Sequence, residues 1–295
     1  MSSAFLRDVQ AFAGEVDAAF AKLARLPAFL GRRRFDRLKR KLIVPPYLEA
    51  AAVDAGQQPS LVSIVLPTFN RRRSLAEAIA SVQGQSLADW ELIVVDDGSS
   101  DGTADLAANY RADPRIRFAA QAHAGQAAAR NHGLRLARGA IVAYIDSDNF
   151  WYPNFLKATV AVLQSAPAID CVYAAMVSEV HPHRPFGLLF DPFDRARLLR
   201  ANYIDINVFA HRRAVLDISG GFDEKLNRFD DWDLILRLTR DRPAFRLPVL
   251  AAHYRSVDEC RVTVRQPAEP DVEKIQGKWR VDARQTRACA PAAGL

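Results

Sequence analysis

The chain has 295 residues, 49% of them hydrophobic and 25% charged, with 14 Gly and 16 Pro. Those proportions exclude a mostly disordered, fibrous or low-complexity protein and leave ample material for a core. Forty Lys and Arg against 34 Asp and Glu give a net charge of +6, which suits phosphate-bearing ligands, anionic lipid or nucleic acid without choosing among them. The three cysteines, Cys171, Cys260 and Cys289, are far apart and form no CxxC. They suggest neither a disulfide framework nor a zinc site, so a reducing cytoplasm is the expected compartment. No apolar run approaches the roughly 18 residues of a membrane span. Arg7, Asp8, Glu15, Asp17, Lys22 and Arg25 interrupt any apolar core of a signal peptide.

Residues 1–58 read as a helical, basic extension. Phe5, Val9, Phe12, Val16, Ala19, Leu23 and Leu26 recur in alternating steps of four and three, a heptad seam. Such a seam fits a helix packed on its own body, a dimerising helix pair, or a helix on a membrane surface. Gly31 to Lys41 then sets seven basic residues against Asp36. The plain reading is a solvated helix face. The functional one is attraction to anionic lipid at the inner membrane face, where each clustered cation adds about 1 kcal/mol. No interleaved aromatics or recognition motif points to nucleic acid. Pro45-Pro46 and Asp54 to Ser60 read as a linker.

From Leu61 strand and helix patterns alternate. Val62 to Leu66, Leu92 to Val95, Ile116 to Ala119 and Ala140 to Ile145 are short β-branched or apolar runs. Helical patterns over Ser74–Val82, after Thr103 and over Gln126–Ala137 separate them. This order predicts an α/β fold with a mostly parallel sheet flanked by helices. Ligands of such sheets lie beyond the strands' carboxyl ends, where Pro67-Thr68-Phe69-Asn70, Asp96-Asp97 and Asp146-Ser147-Asp148 fall. Farther on, Asn202–Phe209 is predicted as a strand, Ser219–Asp223 as a turn, Asp231–Arg240 as a helix and Phe245–Tyr254 as a strand. The expected organisation is an extension at 1–58, a body at 59–255 with a nucleotide-binding half at 59–150 and an acceptor half at 151–255, and a tail at 256–295.

Several polar groups could carry chemistry. Asp146 and Asp148 stand at i and i+2 of an extended chain, so their carboxylates can converge on one hard cation shared with substrate phosphates. The plain alternative is a pair of turn carboxylates. Asp97, at a strand's end, could accept from a base N–H or a ribose hydroxyl, while Ser99, Asp101 and Thr103 suit a helix N-cap. Asp97 does not begin an EF-hand, because its third and twelfth positions are Ser99 and Ala108. Arg130 could pair with phosphate, or be a salt-bridged arginine. Asp230-Asp231-Trp232-Asp233 suits a helix N-terminus through the macrodipole. A carboxylate beside Trp232 could equally serve as a general base. The six histidines form no metal-binding spacing, and no GxGxxG, GxxxxGK[ST] or GxSxG motif occurs.

Taken together, three blocks resemble family 2 glycosyltransferases of the GT-A fold. The first runs from Val62-Ser-Ile-Val-Leu-Pro-Thr-Phe-Asn-Arg71 to Trp90-Glu-Leu-Ile-Val-Val-Asp-Asp-Gly-Ser-Ser-Asp-Gly102. The second runs from Gly125-Gln-Ala-Ala-Ala-Arg-Asn-His-Gly133 to Gly139-Ala-Ile-Val-Ala-Tyr-Ile-Asp-Ser-Asp-Asn149. The third runs from Gly220-Gly-Phe-Asp-Glu224 to Asp230-Asp-Trp-Asp-Leu-Ile-Leu-Arg-Leu238. Each is weak alone, but in this order over about residues 61–255 the set is specific. The resemblance implies inverting transfer from a nucleoside-diphosphate sugar, a UDP-sugar first, to a glycan or lipid-linked acceptor in surface polysaccharide or glycolipid assembly. By that analogy Pro67 to Asn70 and Asp97 hold the nucleoside, and Arg130 lies near the donor. Asp146 and Ser147 sit by the ribose or metal, Asp148 ligates Mg²⁺ or Mn²⁺, and Asp231 is the base. Three departures stand out: Asp230 where relatives have Glu, Ser256-Val257 where many have His, and His123 where Asn is commoner. A catalytically degenerate donor-binding relative is the alternative. A nucleotidyltransferase is a third reading, against which Arg71-Arg-Arg-Ser74 is no Gly-rich phosphate loop.

Overall fold

A computed structural model describes residues 3–23, 28–49, 62–179, 187–255 and 269–288. Apolar, β-branched runs form the first strands because they are buried on both faces. Within β1 (Val62–Thr68) and β2 (Trp90–Asp96) every residue is buried, as expected of parallel strands covered on both sides. β1 pairs in parallel with β2 and with β4 (Ile141–Tyr144), and β2 with β3 (Ile116–Ala120). α3 (Arg72–Gln83), a 3₁₀ turn (Thr103–Tyr110) and α4 (Gln126–Leu136) make the crossovers. A side chain on Gly133 would meet Val65 Cγ1 at 2.5 Å, so glycine is what lets α4 press onto β1.

Beyond β4 the pairing changes. β5 (Phe150–Trp151), α5 (Phe155–Ser165), β6 (Cys171–Ser178), β7 (Leu188–Leu189) and α6 (Arg195–Leu198) lead to β8 (Phe209–Arg212). β8 lies antiparallel between β4 and β6, β9 (Phe245–Tyr254) runs parallel to β6, and β5 closes the edge against β9. The sheet is thus parallel through its first half and mixed in its second, in the order β3-β2-β1-β4-β8-β6-β9-β5, with β7 on β6. α7 (Leu216–Ser219) precedes α8 (Asp230–Leu238), and α9 (Glu269–Ala288) packs on α8.

Three expectations need correcting. Asp146–Asp148 is not an extended run: Ser147 and Asp148 form a turn closed by Asn149 N donating to Asp146 O at 3.1 Å. Asn202–Phe209 is not a strand: Ile206–Val208 is a 3₁₀ turn whose N-cap, Asp205, accepts from Asn207 N, and extended pairing starts only at Phe209. Asn207 bonds Asp146 and Asp205 instead of joining a ladder. Pro45-Pro46 is no linker either. Pro46–Leu48 is a 3₁₀ turn that buries Tyr47, edge-on to Phe5 and Phe12, and Leu48. The stretch Asp54 to Ser60 lies outside the described residues, as do Ser256, Val257, His181 and His183.

In the described residues the heptad seam is spent on the protein's own body; Leu26 lies outside them. Phe5, Val9, Phe12, Val16 and Leu23 of α1 (Ser3–Leu23), with Phe35, Leu38 and Leu42 of α2 (Ala28–Ile43), are buried in the core that holds β9 and α5. The Arg246–Asp17 pair adds a polar link from β9 to α1. The opposite side of α2 exposes Arg33, Arg34, Arg37, Arg40 and Lys41. No described helix is long and apolar enough to cross a membrane.

Candidate active site

Parallel pairing in register puts the ends of β1, β2 and β4 on one edge. Thr68 stands opposite Asp96, and Val65 opposite Tyr144. Pro67 and Thr68 close β1. Phe69 turns out at 39% exposure, and Asn70 takes a positive φ of 53°. That turn lets Asn70 Oδ1 accept from Ser100 N at 2.8 Å, while Asn70 N donates to Ser99 Oγ at 2.8 Å. The two loops that carry the first block are thereby tied. Asp101 serves structure, accepting from Thr103 N at 2.9 Å and Arg72 N at 3.0 Å.

Asp97 is 3% exposed, and its carboxylate is well supplied with donors. Oδ1 accepts from Gln121 Nε2 at 2.7 Å and Ala124 N at 2.9 Å. Oδ2 accepts from Gly125 N at 2.8 Å and faces His123 Nδ1 at 2.8 Å. Gln121 is aimed in turn by His132, whose Nδ1 lies 2.9 Å from its Oε1.

The centre of the site is a buried guanidinium shared between two blocks. Arg130, 2% exposed, donates from Nη2 to Asp146 Oδ1 and from Nη1 to Asp230 Oδ2, both at 2.7 Å. One arginine thereby joins the end of β4 to the start of α8. The buried Asn207 completes the hold on Asp146: its Oδ1 accepts from Asp146 N at 2.7 Å, and its Nδ2 donates to Asp146 Oδ2 at 3.0 Å and Asp205 Oδ1 at 2.7 Å. Asn131, next to Arg130, binds both backbone groups of Phe222, taking N at 2.8 Å and giving to O at 3.0 Å. A side chain on Gly221 would strike Asn131 Oδ1 at 2.4 Å, which is why a glycine stands there in the third block.

Electrostatics separate the two acids at the start of α8. Asp230 is consumed by Arg130. Among the described residues Asp231 accepts from Trp232 N at 2.8 Å and, at 3.4 Å, from Asn202 Nδ2. Removal from water, then the charge of Asp230, pushes Asp231 up to about 7, with Asp205 adding to the effect and Arg130 opposing it. Asp205 is pushed up to about 6 by its own removal from water and by Asp146. Like charges crowded away from solvent raise proton affinity, and Arg130, which is paired with Asp146 and Asp230, only partly offsets this at Asp205 and Asp231.

Ser147 is buried and Asp148 is half-buried at the rim, its Oδ2 3.7 Å from Arg71 Nη2. Among the described residues no group of three or more His, Cys, Asp or Glu could hold a metal alone. The donor set nonetheless fits a hard cation. Asp146 and Asp148 offer only oxygen, the surroundings carry more carboxylates than guanidiniums, and Mg²⁺ is commonly held by one or two carboxylates plus substrate phosphates. His253 is engaged elsewhere: Nε2 lies 2.8 Å from Glu179 Oε1, Nδ1 3.3 Å from the Tyr152 hydroxyl, and the ring stacks on Phe150.

Sequence reasoning missed Asn202, Asp205, Asn207 and the residues of α9, which no motif marks. Asp271 of α9, 3% exposed, accepts on Oδ2 from Asn227 N at 3.1 Å and Arg228 N at 2.9 Å. Those two residues lead into Phe229, whose φ of 59° turns the chain into α8. Lys278 reaches the buried Asp233 at 2.7 Å, and Ile275 and Trp279 bury against α8. The described part of the tail is a packing arm behind the acids.

Comparison with known proteins agrees with this architecture. The family model "Glycosyl transferase family 2" matches residues 63–216, more than half of the chain. A UDP-Glc:alpha-D-GlcNAc-diphosphoundecaprenol beta-1,3-glucosyltransferase, WfgD, of Escherichia coli is 38% identical over 104 residues, 35% of this chain and 41% of that protein. The chondroitin synthase of Escherichia coli is 27% identical over 188 residues, 62% of this chain and 27% of that one. The chain therefore spans less than half of either relative. Among solved structures, S. aureus TarS 1–349 in complex with UDP-GlcNAc superposes with a TM-score of 0.62 at 20% identity, over 72% of this chain and 64% of that one. The mannosyltransferase PcManGT of Pyrobaculum calidifontis, with GDP-Man and Mn²⁺, gives 0.53 at 21% identity over 97% and 88%. With its ordered blocks, its shared sheet edge and the matched span, this chain belongs to glycosyl transferase family 2 and carries the GT-A fold.

Proposed function

We propose that the chain is an inverting glycosyltransferase that moves a sugar from a nucleoside-diphosphate sugar to an acceptor hydroxyl, with Asp231 as general base. The observation that carries this reading is the division of labour at the start of α8. Asp230 is neutralised by Arg130, whereas Asp231 keeps a raised proton affinity at the cleft. A sugar hydroxyl is a poor nucleophile near neutral pH, and a carboxylate with a pKa near the working pH is a suitable acceptor for its proton. In one displacement the acceptor oxygen bonds the anomeric carbon, the bond from that carbon to the diphosphate oxygen breaks, and the proton passes to Asp231. No protein nucleophile is needed, and the anomeric centre inverts. Asp148, with Asp146 behind it, would hold Mg²⁺ or Mn²⁺, which when bound supplies Lewis-acid stabilisation of the departing diphosphate. Pro67 to Asn70 and Asp97 would form the nucleoside site, and Ser147 would lie by the ribose.

A UDP-sugar is the proposed donor. The TarS neighbour is seen with UDP-GlcNAc, and the relative WfgD is named for UDP-Glc and a diphosphoundecaprenol acceptor. The acceptor here is proposed to be a glycan or lipid-linked saccharide in surface polysaccharide or glycolipid assembly. The exposed cations of α2 would rest on an anionic membrane at the inner face, since the seam of α1 is already occupied by the body and leaves little for a homodimer contact. A thermal-shift panel of nucleoside diphosphates, with and without Mn²⁺, tests the donor site. A stabilisation that needs one nucleotide and the metal, and that disappears in Asp148→Ala, is expected; nucleotide stabilisation identical in that variant removes Asp148 from the role. Sedimentation with anionic vesicles, lost when Arg33, Arg34 and Arg37 become Gln, tests the membrane contact.

A further inference from the structure

His123 stands where no role has been assigned to it, and its surroundings are those of a ligand. Its imidazole stacks on Phe69 with ring centroids 4.1 Å apart and planes 20° from parallel. Its Nδ1 lies 2.8 Å from Asp97 Oδ2 and 3.1 Å from Asp97 O. Both of these oxygens only accept, so Nδ1 carries the hydrogen and donates it. The His123 side chain is 58% exposed although its partner Asp97 is only 4% exposed. The other donors to that carboxylate are two backbone N–H groups and Gln121, which His132 holds in place. His123 is therefore the donor to Asp97 that can leave at little cost to the fold.

We propose that His123 is a removable stand-in for the nucleobase. A flat ring lies against Phe69 and a ring N–H points at Asp97, which are the two contacts a base with an imide N–H would make in this site. The two sets of contacts exclude each other. At 4.1 Å the stacked pair admits no third ring between them, because each aromatic face needs about 3.5 Å of its own. A base that takes the face of Phe69 now covered by His123 displaces the ring, and one Asp97 lone pair passes from the imidazole to the base. The seated histidine keeps the carboxylate supplied with hydrogen bonds while the site is empty, and lowers apparent affinity by the fraction of molecules in which it is seated. The inference rests on the nucleoside site proposed above.

Calorimetric titration of the full chain with UDP and Mn²⁺ tests it in the wild type, His123→Ala and His123→Asn. If the ring is seated in about nine molecules of ten, its removal tightens UDP binding about tenfold, because apparent affinity scales with the competent fraction. Asn, which keeps an N–H but loses the flat ring, is expected between Ala and wild type. Heteronuclear NMR of ¹⁵N-histidine-labelled protein supplies a second reading: the Nδ1–H signal of His123 should shift on saturation with UDP. Weaker binding in His123→Ala overturns the proposal by making His123 a contact to the base. Equal binding overturns it by giving His123 no part. Absence of UDP, GDP and CDP binding in every variant overturns the nucleoside site itself, and the stand-in with it.

Discussion

The two halves of the body are built by different rules. From Val62 to Ala120 the chain is a succession of buried parallel strands and crossovers, and the loops that face the site are tied to partners 24 to 30 residues away: Asn70 to Ser99 and Ser100, Asp97 to Gln121, Ala124 and Gly125. The half that holds the proposed base is assembled from distant pieces. Arg130 meets Asp230 100 residues away, Asn207 meets Asp146 at 61, and Asp271 braces Asn227 at 44. The proposed nucleotide site thus lies almost entirely within one stretch of chain. The proposed proton acceptor, Asp231, sits among charges gathered from several.

If the halves are separable in function as in construction, Asp231→Asn should lower kcat by about 10²- to 10⁴-fold, the usual worth of a positioned base, while UDP affinity measured by calorimetry stays within about twofold of wild type. Equal loss of both would break the comparison. Arg130→Met attacks the joint between the halves. It strands Asp146 and Asp230 in a buried setting and should destabilise the fold by about 3–5 kcal/mol, read from urea unfolding, with nucleotide binding and turnover falling together.

The pH profile is gentler. A base whose pKa lies near 7 works only when deprotonated, so kcat/KM should fall as pH drops through about 7, approaching tenfold per unit below it. Asp205→Asn removes a like charge and should move that limb to lower pH. A limb that stays in place, or moves up, would remove Asp205 from the tuning of Asp231. The same raised acid opposes folding above its unfolded value, so Asp231→Asn should become relatively more stable as pH rises from 4 towards 8. The smallest effect belongs to α9. Asp271→Asn weakens the acceptor for two backbone N–H groups, worth about 1–3 kcal/mol in stability, and should reduce kcat severalfold while leaving the affinity for UDP unchanged.

Much of the first half was legible because its signals are local. Val62–Leu66 and Leu92–Val95 name their strands by β-branching, the carboxylates at their ends mark the site edge, and Gly125–Gly133 marks the helix that follows. Asn202–Phe209 was misread for a physical reason. Its apolar residues look like a strand, but Asp205 caps a tight turn and Asn207 spends its amide on Asp146, contacts that no local pattern encodes. Pro45-Pro46 resembled a linker because proline pairs usually punctuate, whereas here the turn they start drops Tyr47 between Phe5 and Phe12.

The alternation of elements, the GT-A resemblance and the residues of the proposed site could be read from the chain alone, because burial periodicity and motif order are properties of the chain. Tertiary structure alone decided which acid of Asp230-Asp231 is free. Two adjacent carboxylates are chemically alike, and only the approach of Arg130 from another element pairs one of them and leaves the other, the proposed base, with a raised proton affinity.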